Sequence, residues 1–347
     1  MSKHPNPTVP HMNRSHVVLL GAGASKAAFP NGERNGRALP LMKELASSSG
    51  IDPILDRAGI TEGRDDFEKL FSRLHASDKH SKLLREIESA LFDYFSGMLL
   101  PDEPTMYDHL VLSLREKDVI ATFNWDPLLW QALNRCNDRL EMPIGLPRVL
   151  FLHGNTAIGY TEYAGQIIEG TRGRKCRKNG VFFEPGPLLY PVTQKNYQQH
   201  ACIHRAWDDL KTLLGNAFIF TVFGYSVPET DVEAVELLQQ GWGDRHERDL
   251  EEIEIIDIRP DNEIRKPWKQ FIHSHHDHIM DSFYKSSIAE SPRRSCEAIF
   301  DQVLNRKPVI PSPLPCSAVW DELIAAVRCL AVAELPEDPA FVSGDWK

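Results

Sequence analysis

At 347 residues the chain is long enough for one large α/β domain with additions, or for two modest domains. Its composition, 42% hydrophobic and 25% charged, is that of an ordinary globular protein and excludes disorder as the default state. The formal charge of −10 argues against a broad nucleic-acid-binding face, the basic segment Arg172-Gly-Arg174-Lys175-Cys-Arg177-Lys178 being a local exception. No apolar run reaches the ~18 residues of a membrane-spanning helix, and the polar N-terminus MSKHPNPTVPHMNRSH lacks the apolar stretch of a signal peptide. The six cysteines, at 136, 176, 202, 296, 316 and 329, show no paired spacing, which fits reduced thiols in the cytoplasm.

Residues 1–14 read as a flexible arm. His16-Val-Val-Leu-Leu20 is a short apolar run ending in Gly21-Ala22-Gly23-Ala24-Ser25, the pattern of a buried parallel strand that turns tightly into a helix. From about 39 to 114 the apolar residues recur at helical spacing, as in Phe67, Leu70, Phe71 and Leu74 and again in Ile87, Leu91, Phe92 and Phe95. This predicts a helical subdomain inserted after the first βα unit. Strands resume at Val119–Phe123, Val149–Leu152, Ala217–Phe223 and Glu252–Asp257, with helices at Pro127–Asn134, His204–Leu214 and Val232–Gln240 between them. Strands alternating with helices predict an α/β fold, a Rossmann-like doubly wound parallel sheet over residues 15–260. Ligands of such sheets bind at the carboxyl ends of the strands, where the strand order reverses. Residues 261–347 carry prolines at 308, 311, 313 and 315, a helix at Trp320–Val332 and no evident strand. They read as a C-terminal extension that packs on the core or contacts a partner.

Each strand ends in residues able to meet a ligand. The glycines of Gly21-Ala22-Gly23-Ala24-Ser25 let the backbone approach a pyrophosphate, the helix start offers unpaired N–H groups, and Ser25 adds a hydroxyl. Lys26 stands where the dehydrogenase fingerprint has a third glycine, and a purely structural turn is the alternative. In Thr122-Phe-Asn124-Trp-Asp126, two short polar side chains suit a ribose or a carboxamide, whereas Asp126 before Pro127 also suits a helix cap. His153 in Leu152-His153-Gly154 can accept a proton or orient a ribose hydroxyl, or be structural. After Phe223, Gly224 permits close approach and Ser226 can bond a phosphate or ribose, while Asp231 is a binding carboxylate or a cap. Asp257, at a strand end, suits the adenosine ribose hydroxyls. The cluster His273-Ser-His275-His276-Asp-His278 lacks an acidic or Cys partner at ligand spacing and reads as a polar loop, so no metal is expected.

In this order GAGAS, TFNWD, LHG, GYS and IID resemble the sirtuin-like superfamily, in which five strand-end motifs line one NAD site. The resemblance covers roughly Val17 to Asp257. It implies that Gly21, Ala22, Gly23 and Ser25 hold the pyrophosphate and that Asn124 and Asp126 face the nicotinamide ribose. It further implies that His153 is the catalytic histidine, that Gly224 and Ser226 line the adenosine side, and that Asp257 takes the adenine ribose. Two positions depart from the pattern. Phe123 stands where the family usually has Gln. The deacylases of the family carry a zinc ribbon of two CxxC pairs after the His-Gly motif, but only Cys176 and Cys202 lie between Gly154 and Gly224 here. The segment Phe182–Tyr197 with Trp207 instead looks like the bacterial subgroup used in anti-phage defence, which degrades NAD.

The resemblance therefore implies an NAD glycohydrolase with NAD as substrate, no metal and no membrane or direct nucleic-acid partner. Because uncontrolled NAD cleavage would be toxic to the cell that makes the enzyme, gating is expected, by assembly as a homo-oligomer or by a protein of the same operon, such as a regulatory, helicase, nuclease or nucleotide-sensing subunit. NAD-dependent deacylation or ADP-ribosyl transfer is the alternative on the same fold. A nucleotide-sensing module without turnover is the alternative from another class.

Overall fold

Successive side chains of a strand point to opposite faces, so a strand that is apolar throughout must be covered on both sides. Val17–Leu20 and, Thr221 apart, Ala217–Phe223 meet that condition, and the two strands Ser15–Leu20 and Ala217–Phe223 are buried at every residue. The computed structural model describes residues 13–141, 144–191, 197–228, 231–244, 248, 250–273, 276–316 and 319–334. In chain order these form β1 (Ser15–Leu20), α1 (Ala22–Ala28), α2 (Leu45–Ser48), α3 (Asp52–Arg57), α4 (Phe67–His75), α5 (Ser81–Ser96), α6 (Met106–Leu112), β2 (Val119–Thr122), α7 (Leu128–Leu140) and β3 (Arg148–Phe151). Next come β4 (Ile158–Tyr163), β5 (Gln166–Thr171), β6 (Glu184–Pro185), α8 (Ala201–Gly215), β7 (Ala217–Phe223), α9 (Val232–Trp242), β8 (Glu252–Ile256) and α10 (Asp261–Trp268). The last elements are β9 (Asp277–Met280), α11 (Ser287–Glu290), α12 (Ser295–Val303) and α13 (Trp320–Glu334).

The main sheet has the order β3-β2-β1-β7-β8-β9, and every neighbouring pair is parallel. The chain winds outward from β1 to β3, returns to lay β7 beside β1, and winds outward again to β9. This is the doubly wound Rossmann-like order, and its switch point lies between β1 and β7. Leu20 pairs with both Thr122 and Phe223, Thr122 with Phe151, and Phe223 with Ile256. The strands thus end level, and the loops beginning at Gly21, Phe123, Leu152, Gly224 and Asp257 leave from one edge.

Side-chain alternation sorts the core into two layers. Val17, Leu19, Val119 and Ala121 pack with Trp207 and Leu210 of α8, Trp242 of α9 and Trp268 of α10. Val18, Leu20 and Ile120 face the other way, onto Leu70, Ile87, Leu91, Leu110, Leu128 and Leu323. The helices between 39 and 114 therefore share one buried cluster with the sheet, forming its cover on that face together with α7 and α13.

Two regions differ from the sequence reading. No strand was expected after Asp257, yet β9 adds a sixth strand, pairing Ile253 with Asp277 through Ile256 with Met280. As a four-residue edge strand, half-buried and polar at its start, it carries no apolar run for a reading of periodicity to find. The sheet consequently continues past residue 260. A row of buried polar groups ties residues 287–295 to it: His16 bonds Thr221 Oγ1 at 2.7 Å and Ser295 Oγ at 2.8 Å, Thr221 donates to Glu254 at 2.8 Å, and Glu254 accepts the Ser287 amide at 3.0 Å. Burial, then the nearby Lys117 charge, lowers the His16 pKa to about 3, so its ring is neutral in that row. The second difference lies between β3 and α8, where β5-β4-β6 form a separate antiparallel sheet. Cys176 is buried there as a free thiol, as the other five cysteines are free thiols. Among the described residues no helix is long and apolar enough to cross a membrane.

Candidate functional site

Backbone contacts build the switch point. The Gly21 amide donates to Phe223 O at 2.9 Å, the Gly23 amide to Gly224 O at 3.0 Å, and the Gly224 amide to Ile256 O at 3.1 Å. A Cβ at Gly21 would lie 2.5 Å from Gly224 O, and one at Gly224 would lie 2.2 Å from Ala24 N. Gly224 also holds φ +65°, which L side chains rarely adopt. The close approach these glycines permit is that of one loop backbone to the other. The amide of Gly23, expected to be open to a ligand, is taken by Gly224; Ala22 opens α1 beside it.

Around this crossing four side chains form one group, three of them buried and Asn124 half-buried. Ser25 Oγ donates to Asp126 Oδ2 at 2.7 Å, stands 2.7 Å from the Tyr107 hydroxyl, and accepts from Asn124 Nδ2 at 2.8 Å. Asn124 Nδ2 also donates to Gly21 O at 2.9 Å. Asp126 Oδ1 accepts the amide of Leu128, the first residue of α7, at 3.1 Å. The carboxylate thus steadies a helix start, one of the two roles open in the sequence, and also holds Ser25. Burial raises the Asp126 pKa, while the Ser25 and Leu128 bonds lower it. Burial, and then the Asp126 charge, raises the Tyr107 pKa, so its phenol stays protonated. Asn155 supports the loop from outside, donating to Asp126 O at 2.6 Å and accepting from Ala157 N at 2.9 Å.

His153 belongs to a second group. It is buried, its Nε2 lies 3.0 Å from the Tyr197 hydroxyl, and it stacks on Tyr197 at 5.7 Å between ring centroids. Phe123 lies 4.6 Å from His153 and 4.4 Å from Tyr225, so the residue in the family's Gln position is one ring in an aromatic cluster. Gly154, at φ +77°, lets Pro187 approach so closely that a Cβ would sit 2.1 Å from its carbonyl oxygen. Leu189 then donates its amide to His153 O at 2.9 Å. Phe123 is the common neighbour that joins the Asn124 loop to the His153 group.

The remaining predicted residues lie along the same edge. Ser226 is exposed, and Glu229 and Thr230 of its loop lie outside the described residues. Asp231 stands at the N-cap of α9 and accepts the Tyr225 hydroxyl at 3.0 Å. Asp257 is gripped by Arg259, whose Nε lies 3.1 Å from both carboxylate oxygens and whose Nη2 lies 2.7 Å from Oδ2. The histidine cluster is dispersed: His273 reaches Gly243 O at 3.1 Å, His278 Nε2 lies 3.1 Å from Glu252 Oε1, and His275 lies outside the described residues.

The sequence reading missed Tyr107, Asn155, Tyr197 and Arg259. Tyr107 sits in a segment where an aromatic reads as core, and Tyr197 closes a segment that entered only as a whole, through the resemblance. Asn155 and Arg259 carried a signal, since each lies within two residues of a predicted site residue.

Sheet order and strand-end loops define an α/β Rossmann-like protein with a polar site at its switch point. No family model and no curated protein matches the chain. Solved structures of Sir2 proteins are similar to it at low identity. A Sir2 homolog in complex with NAD has 15% identity, with 94% of this chain and 96% of that chain covered, at a TM-score of 0.33. A Sir2 in complex with the inhibitor EX-527, 2′-O-acetyl-ADP-ribose and deacetylated p53 peptide has 14% identity, 86% and 97% coverage, and a TM-score of 0.37. A mutant of a Sir2 homologue in complex with ADP-ribose has 15% identity, 96% and 100% coverage, and a TM-score of 0.35.

Proposed function

We propose that the chain binds NAD across the switch point and hydrolyses the nicotinamide–ribose bond, giving nicotinamide and ADP-ribose. The observation that carries this reading is the Asn124 group: a carboxamide held by Gly21 and Ser25 where β1, β2 and β7 end level. In a doubly wound sheet this crevice is where a dinucleotide lies. On this reading Gly21, Ala22 and Gly23 run beside the pyrophosphate, with Ser25 behind them. Gly224 and the exposed Ser226 line the adenosine side, and Asp257, oriented by Arg259, receives the adenine ribose hydroxyls.

Cleavage builds positive charge on the ribose as the bond from C1′ to the nicotinamide nitrogen breaks, the electron pair leaving with nicotinamide. Water attacks C1′, and its proton passes to His153 or through it to solvent. Asn124 orients that water or a ribose hydroxyl, which lowers the barrier through positioning. Asp126 acts through Ser25 and through the start of α7. Deacylation is disfavoured because a small antiparallel sheet, without CxxC pairs, occupies the chain position of the zinc ribbon.

We further propose that the protein is an NAD-depleting effector of bacterial anti-phage defence, active in the cytoplasm and gated by assembly or by a partner from the same operon. Unchecked NAD loss would harm the cell that makes the enzyme. The decisive assay follows nicotinamide release from NAD by the purified chain, by Asn124→Ala and by His153→Ala. Each substitution is expected to lower kcat about a hundredfold or more. Equal turnover in all three would sink the assignment. Release of O-acyl-ADP-ribose from an acyl-peptide, in place of ADP-ribose, would move the chain to the deacylases. Full turnover by the isolated monomer would remove the gating.

A further inference from the structure

We propose that Tyr107 is a positioning residue for Asn124. Acting through Ser25 and through its own contact with the Asn124 side chain, its phenol fixes the Asn124 carboxamide with both amide hydrogens turned inward and the oxygen left to meet substrate. The inference rests on the reading of the switch point as an NAD-cleaving site and names the group that sets its geometry.

With Asp126 as the carboxylate, counting protons fixes the directions in the group. A backbone carbonyl can only accept, so the Asn124 atom 2.9 Å from Gly21 O is the amide nitrogen. The second hydrogen of that nitrogen goes to Ser25 Oγ at 2.8 Å. Ser25 has one hydroxyl proton, and it goes to Asp126 Oδ2 at 2.7 Å. Oδ1 of the same carboxylate is turned to the Leu128 amide at 3.1 Å. Ser25 has two lone pairs, of which Asn124 fills one. Tyr107, 2.7 Å away, therefore donates to the other. The Ser25 hydroxyl is then saturated, with no capacity for a phosphate, and it serves the site by holding Asn124.

The consequence concerns the atom that remains. Asn124 Oδ1 has no hydrogen bond among the described residues, and it is an acceptor only. It selects a donor, either a water or a ribose hydroxyl, and rejects the carbonyl oxygen of the nicotinamide carboxamide. Remove the phenol and one lone pair of a buried hydroxyl goes unfilled. The Ser25 proton is then able to rotate, and the amide loses the fixed acceptor that sets its orientation. Tyr107 comes from α6, on the face of the sheet covered by the helices between 39 and 114, so that helical layer reaches into the site through this residue.

The test is Tyr107→Phe in the full chain, which keeps the ring and its packing on Phe29. Steady-state kinetics with NAD are expected to show kcat reduced about tenfold with KM within about twofold, as for loss of one hydrogen bond in a buried network. NMR with isotope-labelled asparagine gives the second readout. The two Asn124 side-chain amide hydrogens, assigned by their disappearance in Asn124→Ala, exchange slowly with solvent in the parent and fast in Tyr107→Phe. Ser25→Ala, which cuts the link while leaving Tyr107 in place, gives the same faster exchange and stands in if the first variant does not fold. A folded Tyr107→Phe with parental kcat and parental exchange overturns the proposal. If the parent releases no nicotinamide, the functional reading fails by itself. The exchange arm then decides the positioning role, unchanged protection overturning it and lost protection upholding it.

Discussion

The loop after β2 and the loop after β3 leave neighbouring strands at the same level, yet they are held by different forces. Asn124 and Asp126 sit in a closed set of hydrogen bonds with Ser25 and Tyr107, and the three bonds that meet at Ser25 are 2.7–2.8 Å long. His153 sits among rings, with Phe123, Tyr197, Trp207 and Tyr225 in successive contact at 4.4–5.9 Å, and bonds to Tyr197 at 3.0 Å. Hydrogen bonds fix direction, whereas ring packing fixes position and tolerates small rotations. A group that must aim one lone pair at one place needs the first kind of support. A base that takes up and gives up a proton is served by the second.

That contrast breaks most severely at Gly224. Gly224→Ala puts a methyl 2.2 Å from Ala24 N at φ +65°, and it is expected to cost roughly 3 kcal/mol or more in urea unfolding and to abolish turnover. Gly154→Ala meets Pro187 O at 2.1 Å and is expected to cost a similar amount. Its damage should be confined to the aromatic group, leaving Asn124 amide protection at the parental level. Next in size is Ser25→Ala, which strands three partners and is expected to cost roughly 2 kcal/mol of stability. Tyr197→Phe keeps its ring and loses one bond, so about 1 kcal/mol and a few-fold loss of kcat are expected. Equal effects for the last two would show that the groups are held alike.

Glu252 supplies the far end of the scale, with no expected effect on turnover. It lies at the start of β8, away from the strand ends, with Glu254 and Asp277 near it and His278 Nε2 at 3.1 Å. Burial first, then the charges of Glu254 and Asp277, raise its pKa from 4.5 to about 8. The folded chain therefore favours the neutral acid, and this contribution to stability is full below pH 4.5 and is lost as pH rises to about 8. Glu252→Gln should flatten the fall in Tm across that window relative to the parent. Parallel Tm-versus-pH curves would count against the raised pKa.

Much of this arrangement was legible in the residues. Ala217–Phe223 is apolar except for Thr221 and forms a strand of those bounds, and the parallel register of its neighbours brings the strand ends level. What periodicity missed has physical causes. The small sheet at 158–185 is cut by glycines and charges, and a hairpin half open to solvent needs no apolar run. Tyr107 lies in Tyr107-Asp-His-Leu-Val-Leu112, where an aromatic at helical spacing reads as packing; its hydroxyl acquires meaning only once α6 is laid beside β1. The saturation of Ser25 was likewise invisible, since its three partners come from two separate segments of the chain, the helix holding Tyr107 and the loop holding Asn124 and Asp126.

The crossing of the two glycine loops has a consequence for descent. Gly21, Gly23 and Gly224 are required by one another's backbones, at distances of 2.2–2.9 Å for any added Cβ. A relative that had lost its ligand and its chemistry would still need all three to close the same sheet. The glycines would then outlast the function, whereas Asn124 and the phenol behind it would be released to vary. In a lineage of such chains, activity should be traced by the asparagine and its anchor rather than by the loop that draws the eye.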